Sequence, residues 1–238
     1  MKVLVIGDSC IDNFIYCNID RICPEAPVPV LKPIYSTTNP GMARNVVANL
    51  ESLGVEVDLV TNQSIIEKIR YIDDKSGQMV MRLDKNDTCE RYGDGVYDAV
   101  DYDAIIISDY NKGFLTENDM EAWIERAKCP VFLDTKKKLN KWCSKADFIK
   151  INEPEWELND HYSYNNVIIT KGPKGATYKN KDFPVVKKVN VSNVSGAGDT
   201  FVAGLVFSYI KQGEINKAIS FANKCASKVV QERGVTVI

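Results

Sequence analysis

Residues 193–213 read NVSGAGDTFVAGLVFSYIKQG. Two glycines flank an alanine, an aspartate follows, and an apolar-periodic segment starts at once. Val202, Leu205, Val206, Tyr209 and Ile210 fall at i, i+3, i+4, i+7 and i+8, one face of a helix. Gly196, Ala197 and Gly198 therefore stand at or just before a helix N-terminus, where unpaired N–H groups and the helix dipole favour an anion. Glycine admits a close ligand because no Cβ intervenes. Asp199, in the first turn, is expected to be held ionised by the same dipole. An ionised carboxylate beside an anion hole is suited to taking a proton from a hydroxyl while backbone N–H groups stabilise a phosphoryl group. The plainer alternative is a glycine turn with Ser195 or Asp199 capping the helix, and a bare G-x-G-D does not separate the two. No G-x-x-x-x-G-K-[ST] occurs, which excludes a Walker A loop.

Upstream, short apolar runs recur: VLVIG at 3–7, AIIISD at 104–109, PVFLD at 130–134, DFIKIN at 147–152 and NVIITKG at 166–172. Rich in Val, Ile and Phe and only partly alternating, they read as strands buried on both faces. Helical patterns lie between them, at 42–53 and at 117–127, the latter with Thr116 as N-cap and an acidic residue three positions on. The alternation predicts an α/β layer structure with a mostly parallel sheet. Asp8, Asp109, Asp134, Asn152 and the pair Thr170–Lys171 lie at or just past the ends of these runs. In open α/β sheets that edge is where ligands bind. Segments 10–33 and 65–84 do not fit the plan. The first has apolar stretches broken by prolines, and the second reads as a hairpin turning at DDKSG. They form either a small antiparallel sheet standing off the main domain or edge strands of the same sheet.

A chain of 238 residues holds one large core, in one or two domains by size. Thirty basic against 32 acidic residues leave no electrostatic footprint for nucleic acid or a membrane surface. No apolar run approaches the roughly 18 residues of a membrane span, and the N-terminus reads as a first strand instead of a signal peptide. Seven cysteines show no C-x-x-C spacing, and His161 is the only histidine. Cys10, Cys17 and Cys23 lie close in sequence, but zinc calls for clustered ligands. Reduced thiols in a cytoplasmic protein are the expectation. His161 sits in the polar stretch NDHYSYNN, so a histidine-based triad is discounted.

VSGAGDTFVAGL (194–205) resembles the C-terminal signature of the ribokinase, or PfkB-type, family of carbohydrate kinases. N-x-x-E at Asn152–Glu155 is similar to that family's magnesium-phosphate motif, and TKGPKG (170–175) to its nucleotide-binding strand and turn. Ala222–Asn223 looks like its adenine-side region. GDSCIDNF (7–14) resembles the first sugar-binding strand, and NPGMARNVVANLESLG (39–54) the glycine motif and following helix. The usual Gly-Gly is here Pro40-Gly41 or Gly41-Met42. Within the family, DRICPEAPVPVLKP (20–33), KIRYIDDKSGQMVMRLD (68–84), SDYNKGFLT (108–116) and LDTKKK (133–138) are similar to the heptose 7-phosphate kinases, the kinase half of bifunctional enzymes of lipopolysaccharide synthesis. These segments span nearly the whole chain.

The resemblance implies a single ribokinase-like domain over 1–238: a Rossmann-type, mostly parallel sheet flanked by helices, with a small β-sheet lid from segments of about 12–35 and 65–84. It implies ATP-dependent phosphorylation of the anomeric hydroxyl of D-glycero-D-manno-heptose 7-phosphate to the 1,7-bisphosphate. The alternatives are another sugar or sugar phosphate, or a trimmed non-catalytic nucleotide- or sugar-binding protein. Asp199 becomes the base and Gly196, Ala197 and Gly198 the anion hole. Asp8, Asp12, Gly41, Asn45, Asp109, Lys112, Asp134 and Lys136 fall on the substrate side. Thr170, Lys171, Gly172, Gly175 and Asn223 fall on ATP, and Asn152 and Glu155 on ATP and, through water, Mg²⁺. Arg44, Arg70 and Arg82 rival Lys112 and Lys136 for the substrate phosphate. A homodimer paired lid to lid is expected. Two departures stand out. Only 61–64 separate the preceding strand from the second lid strand, where relatives carry a further strand–helix unit, and the nucleotidyltransferase half of the bifunctional relatives is absent from the chain. The expected product is therefore the bisphosphate alone.

Overall fold

The computed structural model describes residues 1–93, 101–159, 165–185, 194–232 and 236–238. His161 lies outside them. From the N-terminus, β1 (Lys2–Gly7) passes through Asp8 into β2 (Ser9–Asn18), and β3 (Lys32–Met42) returns alongside β2 to feed α1 (Ala43–Ser52). Next come β4 (Glu56–Val60) and a hairpin of β5 (Glu67–Asp73) and β6 (Met79–Lys85). Then β7 (Ala104–Asp109), α2 (Glu117–Arg126), β8 (Val131–Thr135), β9 (Phe148–Asn152), the short α3 (Glu153–Glu157) and β10 (Val167–Thr170) follow. The chain continues through β11 (Ala176–Tyr178), β12 (Lys181–Phe183), α4 (Ala197–Gln212) and α5 (Ile215–Val229).

Eight strands form the main sheet in the order β12-β11-β10-β9-β8-β7-β1-β4. The run from β4 to β10 is parallel, and β11 and β12 are added antiparallel. The apolar runs are strands because they have partners on both faces. Val3 and Val5 pack with α1, α4 and α5, while Leu4 and Ile6 pack with α2 on the other side. All four are fully buried, each contributing roughly 1.5–3 kcal/mol of transfer free energy. Thr116 caps α2 in a reciprocal box with Asp119. The N-cap of α4 is Gly196, whose φ of +79° is the left-handed conformation glycine tolerates.

The two segments outside the α/β plan form a separate sheet, in the order β3-β2-β5-β6. It is mixed, not antiparallel as the sequence reading has it, since β2 and β5 run parallel. The cause is topological. β1 and β4 are parallel neighbours in the main sheet, each runs off the same edge into the lid, and β2 and β5 inherit their direction. The proline-rich stretch between β2 and β3 is irregular, tied by one bridge between Ile22 and Pro29. Residues 61–66 alone join β4 to β5, and β4 is the edge strand of the main sheet. Among the described residues no helix is long and apolar enough to cross a membrane, and no cluster of His, Cys, Asp and Glu is suited to a metal ion. All seven cysteines are free thiols.

Candidate active site

Asp199, in the first turn of α4, is buried and takes two hydrogen bonds. The Tyr110 hydroxyl donates to Oδ1, and Asn45 Nδ2 donates to Oδ2 at 2.8 Å. Asn45 is oriented from behind: Asn49 donates to its Oδ1 at 3.1 Å and to its carbonyl at 2.8 Å, and Thr200 donates to Asn49 at 3.2 Å. With its own oxygen occupied, the Asn45 amide presents N–H to the carboxylate. The dipole of α4 favours an ionised Asp199, but burial outweighs it. Burial pushes the carboxyl up to about 6, the Asp134 charge works in the same direction, and Tyr110, Asn45 and the Lys150 cation oppose it. The group is thus a base poised near neutrality, not a strongly held anion.

Tyr110 and Lys150 are absent from the residues expected from the sequence. Tyr110 follows β7 directly; burial, then Asp199 and Asp134, raise its hydroxyl well above the usual phenol value, so it stays a proton donor to Asp199. Lys150 is a cation in the middle of an otherwise apolar strand, a signal that was readable in DFIKIN. Its ammonium lies 2.9 Å from Asp134 Oδ2, with both side chains buried. Burial works against its charge, but the Asp134 carboxylate holds its pKa above the ordinary lysine value. A Cβ added at Gly198 would sit 3.2 Å from Lys150 Nζ, so the lysine lies directly beneath the glycine turn.

A cavity of about 750 Å³ opens beside this turn. Of the residues assigned to the nucleotide, Asn152, Thr170, Lys171, Gly172, Gly175 and Asn223 line it, as do Ala197, Gly198 and Lys136. Asn223 Nδ2 donates to the Phe183 carbonyl at 2.7 Å, and a Cβ on Gly175 would lie 2.1 Å from the same oxygen. Gly175, at φ +93°, therefore has two reasons to be glycine. Asn152 and Glu155 form a reciprocal capping box at the start of α3: Asn152 Oδ1 accepts from Glu155 N at 2.8 Å, and Glu155 Oε2 accepts from Asn152 N at 3.0 Å. Glu155 Oε1 accepts from Lys136. Burial would raise the Glu155 pKa, but the Asn152 N–H and the Lys136 cation hold it below its ordinary value.

The acceptor-side residues divide. Asp8 is fully buried, accepting from the backbone of Tyr110 at 2.6 Å and of Phe114 at 3.3 Å; it shapes the loop after β7. Asp109 accepts from Lys137 at 2.7 Å and Thr135 at 2.5 Å. Both spend their oxygens inside the protein. Asp12 stays on the lid's inner face, paired with Arg70 at 2.5 Å. A Cβ on Gly41 would meet Asp12 Oδ2 at 2.4 Å and Cys10 Sγ at 2.5 Å, so Gly41 is what lets Asp12 lie against β3. The next residue, Met42, takes φ +59° and ψ −132°, a conformation suited to glycine that costs about 1–3 kcal/mol in other residues. Lys112 pairs with Asp87 at 2.6 Å and Arg82 with Asp84 at 2.6 Å. Arg44 is exposed.

For a divalent cation, the Asn152 and Glu155 oxygens favour indirect contact. The oxygens of Asn152 and Glu155 are already engaged, and Asp134 Oδ1 is a buried carboxylate oxygen with no hydrogen-bond partner. That arrangement fits a Mg²⁺ that keeps its waters.

Residues 98–238 match the model of the pfkB family carbohydrate kinases. "Bifunctional protein HldE" of Campylobacter jejuni is 31% identical over 284 aligned positions, covering 98% of this chain and 62% of the relative. The protein of the same name in Caulobacter vibrioides is 29% identical, covering 99% and 61%. The chain thus spans less than two thirds of these relatives, and 284 positions against 238 residues leave tens of positions in the first without a counterpart here. Ribokinase of Thermotoga maritima superposes with a TM-score of 0.73 at 17% identity, over 98% of this chain and 94% of that one. Arabidopsis thaliana ribokinase, complexed with ribose and ATP, gives 0.70 at 14% identity, over 98% and 93%. At these identities the structures speak for the fold.

Proposed function

The chain belongs to the pfkB family of carbohydrate kinases and is an ATP-dependent carbohydrate kinase; on that premise we propose that its acceptor is D-glycero-D-manno-heptose 7-phosphate, phosphorylated at the anomeric hydroxyl to the 1,7-bisphosphate in the cytoplasm. The observation that carries the phosphoryl-transfer reading is Asp199, buried with two donors and standing beside both the glycine turn and the cavity. ATP takes the cavity, with its phosphates toward Gly196–Gly198 and Lys150. Asp199 accepts the proton of the acceptor hydroxyl as its oxygen bonds to the γ-phosphorus; the bond to the β–γ bridging oxygen breaks and ADP leaves. Asp134, Asn152 and Glu155 would hold a hydrated Mg²⁺ beside the nucleotide, where it would supply neutralisation of phosphate charge. Asp12 holds acceptor hydroxyls from the lid. The heptose assignment rests on the sequence resemblance over both lid segments and on the bifunctional relatives.

The lid also supports a homodimer. Cross-strand register puts Ile11, Ile15, Ile69, Tyr71, Met81 and Leu83 on the lid face opposite Asp12. An apolar face of that kind on a two-edged sheet is a liability unless covered. Sedimentation at high micromolar concentration should give a dimer, and a monomer there refutes the pairing.

Function is tested by ADP release with Mg·ATP on a panel of sugar phosphates and free sugars. Heptose-dependent turnover, lost in Asp199→Asn, supports the assignment. Turnover with another sugar only replaces the acceptor, and ATP binding without turnover on any sugar leaves a binding protein.

A further inference from the structure

Six cations around the site each hold a carboxylate. Arg70 goes with Asp12, Arg82 with Asp84, Lys112 with Asp87, Lys136 with Glu155, Lys137 with Asp109 and Lys150 with Asp134. Lys68 is left over. It lies on β5 directly opposite Asp12 of β2 and Asp84 of β6, so it shares the lid's inner face with both. It is nine-tenths buried, yet among the described residues its ammonium has neither a hydrogen bond nor an ion pair. It lies instead over the Tyr110 ring, 5.2 Å from the centroid, and the hydroxyl of that ring is bonded to Asp199. Burial lowers its pKa, the Cys10 and Asp12 charges raise it, and the Arg82 and Lys112 charges lower it again. A buried cation whose neighbouring carboxylates, Asp12 and Asp84, are already paired with Arg70 and Arg82 is under-compensated in the empty protein. It is compensated once an anion enters.

We propose that Lys68 is the specificity residue of the acceptor side, its ammonium receiving the phosphate that the sugar substrate already carries, with Arg82 and Lys112 adding to the field. The position argues for the acceptor and against ATP. The nucleotide cavity is lined by Tyr110, Lys136 and Lys150 but not by Lys68, and Lys68 stands with Asp12 on the lid. A cation at this point converts a sugar kinase into a sugar-phosphate kinase: it adds a charge-assisted bond for a phosphorylated acceptor and leaves a buried charge unpaired for a free sugar. This deepens the acceptor reading above and rests on it only for the identity of the sugar.

The test compares matched pairs of sugars with and without their phosphate, heptose 7-phosphate with heptose and fructose 6-phosphate with fructose, at saturating ATP. The wild type should favour the phosphorylated member of the pair it accepts by at least about 100-fold in kcat/KM. Lys68→Gln should lose that preference at least tenfold, mainly through KM of the phosphorylated sugar, while KM for ATP holds; Lys68→Arg should recover part of it. Lys68→Met should also melt higher than the wild type, because the unpaired charge is gone. Equal losses on both members of a pair, or a lowered melting temperature with no loss of preference, overturn the proposal. If fructose 6-phosphate and not the heptose is turned over, the sugar assignment fails and Lys68 is judged on the fructose pair. If no sugar is turned over, calorimetry with inorganic phosphate on the ADP-saturated protein decides. Binding by the wild type that is lost in Lys68→Gln supports the site, and equal binding by both, or by neither, overturns it.

Discussion

Replacing Tyr110 by Phe removes one oxygen and leaves the ring between α4 and the lid. That oxygen donates to Asp199 Oδ1, and a hydrogen bond to the charged form is what keeps a buried carboxyl from rising further. Bonds of this kind contribute about 1.5–3 kcal/mol, or about 1–2 pKa units. Asp199 stands at about 6 with both donors in place. With Asn45 alone it should titrate near 7–8, by the same arithmetic. A base has to be ionised, so the acid limb of kcat/KM should move with it, from a midpoint near 6 to one between about 7 and 8. At pH 6.5 the wild type then keeps roughly three quarters of its plateau rate and the variant roughly a tenth, while at pH 9 the two converge to within a few-fold. Coupled ADP release between pH 5 and 9 at constant ionic strength measures this. An acid limb that stays at 6 in Tyr110→Phe means that the titrating base is not Asp199, and the catalytic assignment falls with it.

Asp199→Asn should be inactive and more stable at neutral pH. The folded-state carboxyl sits at about 6 against an ordinary 3.8, so the native state holds the extra proton between those values. Its stabilising contribution is full below 3.8 and is lost as pH rises through 6. Above pH 7 the ionised group costs about 3 kcal/mol. Asparagine cannot accept from both Tyr110 and Asn45, which returns about 1 kcal/mol. A net rise in Tm of roughly 4–8 °C at pH 7.5, shrinking toward pH 5, is expected; a lower Tm at pH 7.5 refutes the reasoning. Lys150→Met strands Asp134 in the interior beneath the glycine turn, at a cost of about 3–5 kcal/mol; Tm should fall by roughly 6–20 °C, and a fall under 3 °C would mean the pair is not closed in solution. Asn62→Ala removes bonds to the Ser9 N–H at 2.7 Å, the Ser9 carbonyl at 3.1 Å and the Ser64 carbonyl at 2.7 Å. It should raise the acceptor KM with KM for ATP unchanged, and equal effects on both substrates count against a lid role.

The main sheet was legible because its inner parallel strands β1, β7, β8 and β9 are buried on both faces and so write themselves as apolar runs, whereas the edge strand β4 does not. The helix after GAGD was legible from its period and its glycines. The direction of β5 was not, because pairing between distant strands depends on where each leaves the main sheet, and no local pattern in 65–84 carries that. At the site, residues at strand ends could be identified as polar but not apportioned. Asp8 and Asp109 look in sequence like Asp134, yet their oxygens are consumed by the loop after β7 and by Lys137 and Thr135. Asn45 read as a sugar residue and stands against the base. Lys150 was readable as a cation interrupting an apolar strand, whereas Lys68 looks in sequence like any charged residue on a hairpin.

The short connection between β4 and β5 bears on how much of the fold the chemistry needs. Two crossings lead from the main sheet to the lid, at Asp8 and at 61–66, and they are bonded to each other. Thr61 Oγ1 bonds to the Gly7 carbonyl at 2.8 Å and to Ser9 Oγ at 2.6 Å, and Asn62 holds both backbone groups of Ser9. Gln63 N and Ser64 bond to Glu90 on the far side. The lid's position over Asp199 is therefore fixed by contacts inside the shortened connection. None of these contacts calls for anything beyond β4, which ends the sheet. A strand–helix unit inserted between β4 and β5 would lengthen one crossing and leave the other unchanged, since Asp8 passes directly from β1 to β2. The inner-face residues Asp12, Lys68 and Arg70 belong to strands that pair across both crossings. In this chain the register of β2 on β5 is held with the short connection in place.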